Sequence, residues 1–485
     1  MTERTLTAAS VQTEPPRPVG RRSRLTLPII LTCQLMIILD VTVMNVALPR
    51  IQASLHFSST GLAWVINAYT LVFGGMLLLG GRAGDLLGRR RMFAGGVALF
   101  TVASLAGGFA PSAGWLLAAR IAQGLGAAAA GPNTLAMITS AFPEPRERIR
   151  ALAIFSSMAS SGFAIGLIVG GLLTDALSWR WVMFINVPFG LAITLLARRH
   201  LPATERRSGA GGPARLDLAG AFTATGGVGG LVYAFIRAAT AGWGDRTALT
   251  ALAGGLVLIS AFLLIETRTR EPLLPLRLFA DRNRAMAYLN FFLGPMAIFG
   301  MFFFLTQFMQ VVMELGPLAT GFAFLPMAVA MFTTTRFIPA LLPRIGPRLM
   351  AVSGTLMMIA GLVLLTRLTG TSGYAAGLLP PMVLIGTGIG LAFAPLNVLI
   401  MSTVAQRDAG AAGGVLQTMQ QVGGSLGLAV LVTVFGGAAR HAAAHGASAQ
   451  HALVTGMTHA FVVSTICALC SLVVATTFRR PASIG

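Results

Sequence analysis

The stretch Leu39-Asp40-Val41-Thr42-Val43-Met44-Asn45-Val46-Ala47-Leu48-Pro49 sets a carboxylate inside an apolar run that begins near Leu25. An Asp at the centre of a membrane helix costs about 2.5–3.5 kcal/mol on insertion scales, so it persists where it faces protein or a wet cavity rather than lipid. On a helix Asp40 shares one face with Met36, Val43, Met44 and Ala47. Two readings stay open. The plainer is an Asp paired with a buried Arg that locks helices together. The other is a protonatable switch in a transporter.

Long apolar runs recur on both sides of this stretch. Of 485 residues, 55% are hydrophobic and 10% charged, and the mean hydropathy is +0.78, which marks an all-α polytopic membrane protein. Runs of about 20 residues give fourteen expected spans, at 25–48, 61–81, 92–110, 113–140, 151–174, 180–197, 217–237, 247–266, 285–310, 320–342, 350–367, 375–401, 410–436 and 456–478. Residues 1–20 are polar with no secretory pattern, and the run after them is long enough to be a retained span.

The net charge of +20 invites a nucleic-acid reading, but the arginines are placed otherwise. With the N-terminus inside, the inside segments hold 27 Arg and the outside segments 6, while Arg120 and Arg336 fall within spans. The basic charge is therefore a topology signal, with both termini cytoplasmic, and no nucleic-acid partner is expected. The chain contains no Lys, which excludes a P-loop and Schiff-base chemistry. Cys467 and Cys470 form a CxxC inside an apolar helix, where small packing residues are the simpler reading. His441, His445 and His451 lack a neighbouring carboxylate or Cys, so no metal site is expected, and no cofactor. No HExxH pair, nucleophile with base or pair of catalytic carboxylates lies in the spans, which argues against an intramembrane enzyme.

An internal repeat joins the two halves. Gly124, Gly126, Ala128, Ala130, Asn133, Leu135 and Met137 recur as Gly388, Gly390, Ala392, Ala394, Asn397, Leu399 and Met401, at a constant offset of 264. Parallel repeats of this kind build transporters from two bundles. The expected organisation is a tail (1–24), a six-helix bundle (25–198), a linker with two extra spans (199–283), a second six-helix bundle (284–478) and a tail (479–485).

Between spans 2 and 3 the chain reads Gly81-Arg82-Ala83-Gly84-Asp85-Leu86-Leu87-Gly88-Arg89-Arg90-Arg91. Its G-x3-D-x2-G-R-R spacing is more specific than a basic inside loop requires. It resembles the signature loop of the major facilitator superfamily. Leu39–Pro49 resembles the first-helix signature of that superfamily's fourteen-helix drug/proton antiporters. Arg120-Ile121-Ala122-Gln123-Gly124-Leu125-Gly126 is similar to the family's R-x2-Q-G-x-G helix. Trp179-Arg180-Trp181 with Phe184-Ile185-Asn186-Val187-Pro188, and Glu271–Phe279, match the same branch. Span 5 resembles the antiporter helix through Gly162, Gly166, Gly170 and Gly171, but Leu167 stands where Pro is usual. The matching second-half loop keeps Arg344, Gly346 and Arg348, with Pro343 in the acidic position.

The resemblance implies proton-coupled export of hydrophobic small molecules, drugs or antibiotics, by alternating access across a bacterial plasma membrane. The expected monomer takes protons and a greasy substrate as partners, with the lipid bilayer as its solvent. Asp40 is the expected proton site and Arg120 its partner; counted from the outer span ends, the two reach similar depths of roughly 9–12 Å. Gly81, Asp85, Gly88, Arg89 and Arg90 form the expected cytoplasmic gate. Met36, Met44, Gln123, Asn133, Asn290, Phe299, Phe303, Gln307 and Asn397 are the expected cavity lining, Phe and Met offering adaptable contact to varied ligands. A metabolite or lipid-precursor carrier of the same fold, and a non-transporting sensor, are the alternatives.

Overall fold

The computed structural model describes residues 25–142, 144–201, 217–269, 272–404 and 409–478. Their regular secondary structure is helical, joined by short turns, with no strand among the described residues. The first six helices are α1 (Thr26–Leu55), α2 (Ala63–Leu87), α3 (Arg89–Gly108), α4 (Ala113–Ala141), α5 (Pro145–Ala176) and α6 (Trp181–His200). Two more follow, α7 (Leu218–Ala241) and α8 (Arg246–Arg268). The last six are α9 (Arg282–Val312), α10 (Pro317–Ile345), α11 (Pro347–Leu365), α12 (Tyr374–Met401), α13 (Ala409–Ala444) and α14 (Ala449–Thr476). Twelve are long and apolar enough to cross a membrane, judged on the described residues. The other two, α4 and α5, are 29 and 32 residues long.

Helix starts follow ordinary capping chemistry. Ser112, Asp217, Asp245, Asp281 and Ser448 each accept a hydrogen bond from a first-turn backbone N–H, and Pro317 and Pro347 open their helices. Several ends differ from the hydropathy reading. The α1 helix continues through Pro49 to Leu55, past the expected end at Leu48. The α2 helix runs to Leu87, so the 81–91 stretch is not a loop but two helix ends joined by Gly88 alone. Charged residues in a terminal turn read as loop by hydropathy, although their backbone remains helical. For the same reason His441 and His451 lie on α13 and α14, while His445 sits in the turn just past α13.

The helix pairings repeat. In the first half α1 packs on α5, α2 on α4, and α3 on α4 and α6; in the second, α9 packs on α13, α10 on α12, and α11 on α12 and α14. Each pair recurs eight helices later, and α4 answers α12 as the residue offset of 264 requires. The halves meet reciprocally, α2 against α13 and α5 against α10. The α7–α8 hairpin lies beside this seam, with α7 touching α2 and α13 and α8 resting on α7. The most apolar stretch of α8 is only 11% buried. Side chains such as Val257, Leu264, Val102 and Leu195 stand 58–66% exposed, a surface suited to hydrocarbon rather than water.

Gly88 and Gly346 mark one end of the bundle, called here the loop end. Contacts between α1 or α5 and the second half gather in the opposite, far half. Gln310 Nε2 donates to the Val46 carbonyl at 2.8 Å. Gly171 abuts Pro317 and Leu318, Gly321 abuts the Leu167 carbonyl, and Phe163 and Phe302 stack edge-on at 5.2 Å. Toward the loop end of α10, Val329, Phe332 and Phe337 are exposed.

Candidate functional site

Asp40 lies inside the first half, 1% exposed, and Arg120 beside it is equally buried. Arg120 Nη1 donates to Asp40 Oδ2 at 2.5 Å. Gln123 Nε2 and Asn186 Nδ2 donate to Asp40 Oδ1 at 3.0 and 2.9 Å. Arg120 also donates to Gln123 Oε1 at 2.9 Å and, through Nε, to the Val65 carbonyl at 3.0 Å. Its guanidinium carbon sits 4.4 Å from the centre of the Tyr69 ring, a cation–π contact. Gln123 Nε2 donates further to Ser104 Oγ at 2.8 Å. Side chains or carbonyls of α1, α2, α3, α4 and α6 thus converge on one ion pair.

Burying one charge alone costs several kcal/mol, and a pair with further hydrogen bonds offsets that cost. The site is neutral as a unit. Loss of either charge would leave the other uncompensated at a site closed to water. Asp40, Arg120 and Gln123 are expected site residues; Asn186, Ser104 and Tyr69 join them here without having been expected in the site. The available signal for Asn186 was a lone amide in the apolar Phe184–Pro188 stretch, at the irregular turn between Trp181–Phe184 and Asn186–His200.

The glycines of α5 fall on two neighbours. Gly162, Gly166 and Gly170 face Leu35, Ile38, Thr42 and Val43 of α1, one turn either side of Asp40; Gly171 faces α10. The approach is tight: a Cβ built on Gly166 would lie 1.8 Å from Thr42 Oγ1. Leu167, at the position where the resemblance expects Pro, is 2% exposed against α10.

At the loop end Asp85 accepts from Arg89 Nε and Nη2 at 3.0 and 2.8 Å, with both side chains partly exposed. Arg89 Nη1 reaches the Ala136 carbonyl of α4 at 3.3 Å, and Arg90 Nη1 the Leu201 carbonyl at 3.2 Å. Gly88 has φ +100°, a backbone that favours Gly. Gly84 touches Asn133, while Gly81 lies against Pro132. Gly346 repeats the one-residue turn with φ +79°, but Pro343 there offers no carboxylate for a clamp.

The expected cavity residues do not meet in one place. Met36 and Met44 are buried within the bundle and Gln123 belongs to the ion-pair network. Asn133 donates to the Ala129 and Gly80 carbonyls, and Asn290 bonds Ser471 at 2.5 Å. Phe299 lies against Gly424, and Asn397 and Arg336 are exposed. Phe303 and Gln307 line a cavity of about 90 Å³ at the far end, with Phe304, Phe435 and Met457.

Comparison with known proteins agrees with this architecture. A model of the Major Facilitator Superfamily matches residues 30–428. The chain is 44% identical to the puromycin resistance protein pur8 of Streptomyces alboniger, over 90% of this chain and 87% of that protein. It is 40% identical to the cephamycin export protein CmcT of Amycolatopsis lactamdurans, over 86% of each. Among solved structures it is similar to a bacterial homologue of the human lysosomal transporter Spinster in an inward-facing, unoccupied conformation, with a TM-score of 0.67 at 17% identity, over 93% of this chain and 95% of that one. With a family model covering most of its length and relatives matched nearly end to end, the chain is a multi-pass membrane transporter, not an enzyme, and belongs to the Major Facilitator Superfamily.

Proposed function

We propose that the protein is a proton-coupled exporter of hydrophobic small molecules of the antibiotic class, working by alternating access. The observation that carries the coupling is the buried Asp40–Arg120 pair. Protonation of Asp40 from the outside leaves Arg120 with the Val65 carbonyl, Gln123 Oε1 and the Tyr69 face but no counter-charge. An unpaired buried charge is worth about 3–5 kcal/mol of destabilisation, enough to bias two packings of the bundle. The strain enters α1 at Asp40. It passes to α5 through Thr42 and Val43 against Gly166 and Gly170, and to α9 through Val46 and Gln310. The far-end contacts of α1 and α5 fit a state closed to the outside, and the Asp85–Arg89 clamp fits a gate at the cytoplasmic face.

On this reading the chain crosses the plasma membrane fourteen times with both termini inside. It works as a monomer of two six-helix bundles, residues 25–198 and 284–478, with α7 and α8 in the linker at 199–283. Phe303 and Gln307 meet substrate on its way out, and the relatives named for puromycin resistance and cephamycin export support the antibiotic class. The test is uptake into inverted vesicles carrying the protein, with an acid interior as driving force. Puromycin or a cephamycin should accumulate, and a protonophore should abolish the accumulation. Accumulation indifferent to the protonophore would refute proton coupling.

A further inference from the structure

At the loop end, residues of α3 and α6 line a cavity of about 430 Å³: Arg90, Arg91, Ala94, Gly95 and Arg198. The volume lies within the ~300–1,000 Å³ range of small-molecule sites. Three Arg side chains and, among the described residues, no carboxylate line it. Arg90 keeps one contact with the Leu201 carbonyl, and Gly95 leaves the floor open, with no atom within 4 Å of where its Cβ would stand. Such a cluster of like charges on two adjacent helices is unfavourable without a counter-anion.

The surface beyond the cavity is apolar. On α3 the exposed positions run Arg91, Gly95, Leu99, Val102 and Leu105, a single stripe at helical spacing. On α6 the exposed positions include Arg198, Leu195 and Leu191. The two helices are packed together, with Gly190 against Thr101 and Gly108 against Phe184. Both stripes therefore lead from the guanidinium groups into the hydrocarbon zone, along the path of an acyl chain whose phosphate occupies the cavity.

We propose that this cavity is a binding site for the headgroup of an anionic phospholipid, with Arg91 and Arg198 holding the phosphodiester and the α3–α6 groove holding an acyl chain. A basic pocket at the interface, continuous with a lipid-facing groove, favours a lipid over a free anion. Phosphatidylglycerol is the probe. The full-length protein, purified in detergent, is titrated with phosphatidylglycerol, phosphatidylcholine of the same chains, and inorganic phosphate, and bound adducts are counted by native mass spectrometry. A single phosphatidylglycerol adduct should persist where phosphatidylcholine is lost and phosphate gives none. Each Arg near an anionic headgroup is worth roughly fivefold, so Arg91→Gln with Arg198→Gln should weaken that adduct about 30-fold. Gly95→Phe keeps every charge, fills the cavity and should also remove the adduct, which covers the case of a double variant that folds poorly. Equal retention of phosphatidylglycerol and phosphatidylcholine would overturn the proposal. So would an adduct indifferent to Gly95→Phe, or inorganic phosphate competing as well as the lipid.

Discussion

Replacing Arg120 by Gln removes the cation and leaves Asp40 buried with two amide donors, Gln123 Nε2 and Asn186 Nδ2. Three hydrogen bonds and the contact with Tyr69 disappear together. Breaking a buried pair from one side costs about 3–5 kcal/mol, because the remaining charge is uncompensated. Adding Asp40→Asn removes that charge while keeping the side chain's shape. The double variant should therefore be more stable than Arg120→Gln alone, although it carries one more substitution, with a coupling energy of at least about 1.5 kcal/mol. Denaturant unfolding of the purified protein, followed by loss of helical signal for wild type, both single variants and the double, closes the cycle. Independent sites add within about 0.5 kcal/mol. A coupling energy inside that margin would mean that the two side chains do not share a site, and the electrostatic argument would fail with it.

Three further outcomes are expected. Gly166→Leu should insert normally yet transport poorly, since its side chain would enter the space of Thr42 beside Asp40 and overpacking costs about 1–3 kcal/mol; membrane abundance and vesicle uptake measured together check this, and full transport would contradict it. Asn186→Leu removes one donor from a buried carboxylate and should destabilise the protein by about 1.5–3 kcal/mol in the same unfolding assay. Reporter fusions after residues 90, 205 and 480 should all report cytoplasm and one near 445 the outside, because the Arg distribution sets the parity; an outside signal at 205 would break the fourteen-span reading.

Much of the architecture was legible because lipid imposes long apolar runs, and the repeat showed in small residues that tight α4 and α12 packing demands. That Asp40 and Arg120 could pair followed from their similar depth together with the resemblance that sets both helices around one cavity; the direct contact is read from the geometry. Helix ends were harder. Asp85 and Arg89 look like loop residues, yet they clamp across a single-residue turn that only the positive φ of Gly88 reveals. Asn186 and Ser104 were overlooked because a lone amide or hydroxyl in a span carries no sign of the helix it will face. Which face of a greasy helix meets a cavity was not readable either: Met36 and Met44 share the Asp40 face but point into the packed interior, and Asn397 is exposed although its repeat partner Asn133 is buried.

The central claim is that the charge on Asp40 couples proton entry to export. The direct measurement uses Asp40→Asn protein reconstituted in vesicles, with two readings on one preparation: uphill substrate accumulation driven by a pH gradient, and downhill substrate exchange without one. Accumulation and substrate-induced proton movement should be lost while exchange survives, since the amide mimics a permanently protonated site. Undiminished uphill accumulation by Asp40→Asn would contradict it.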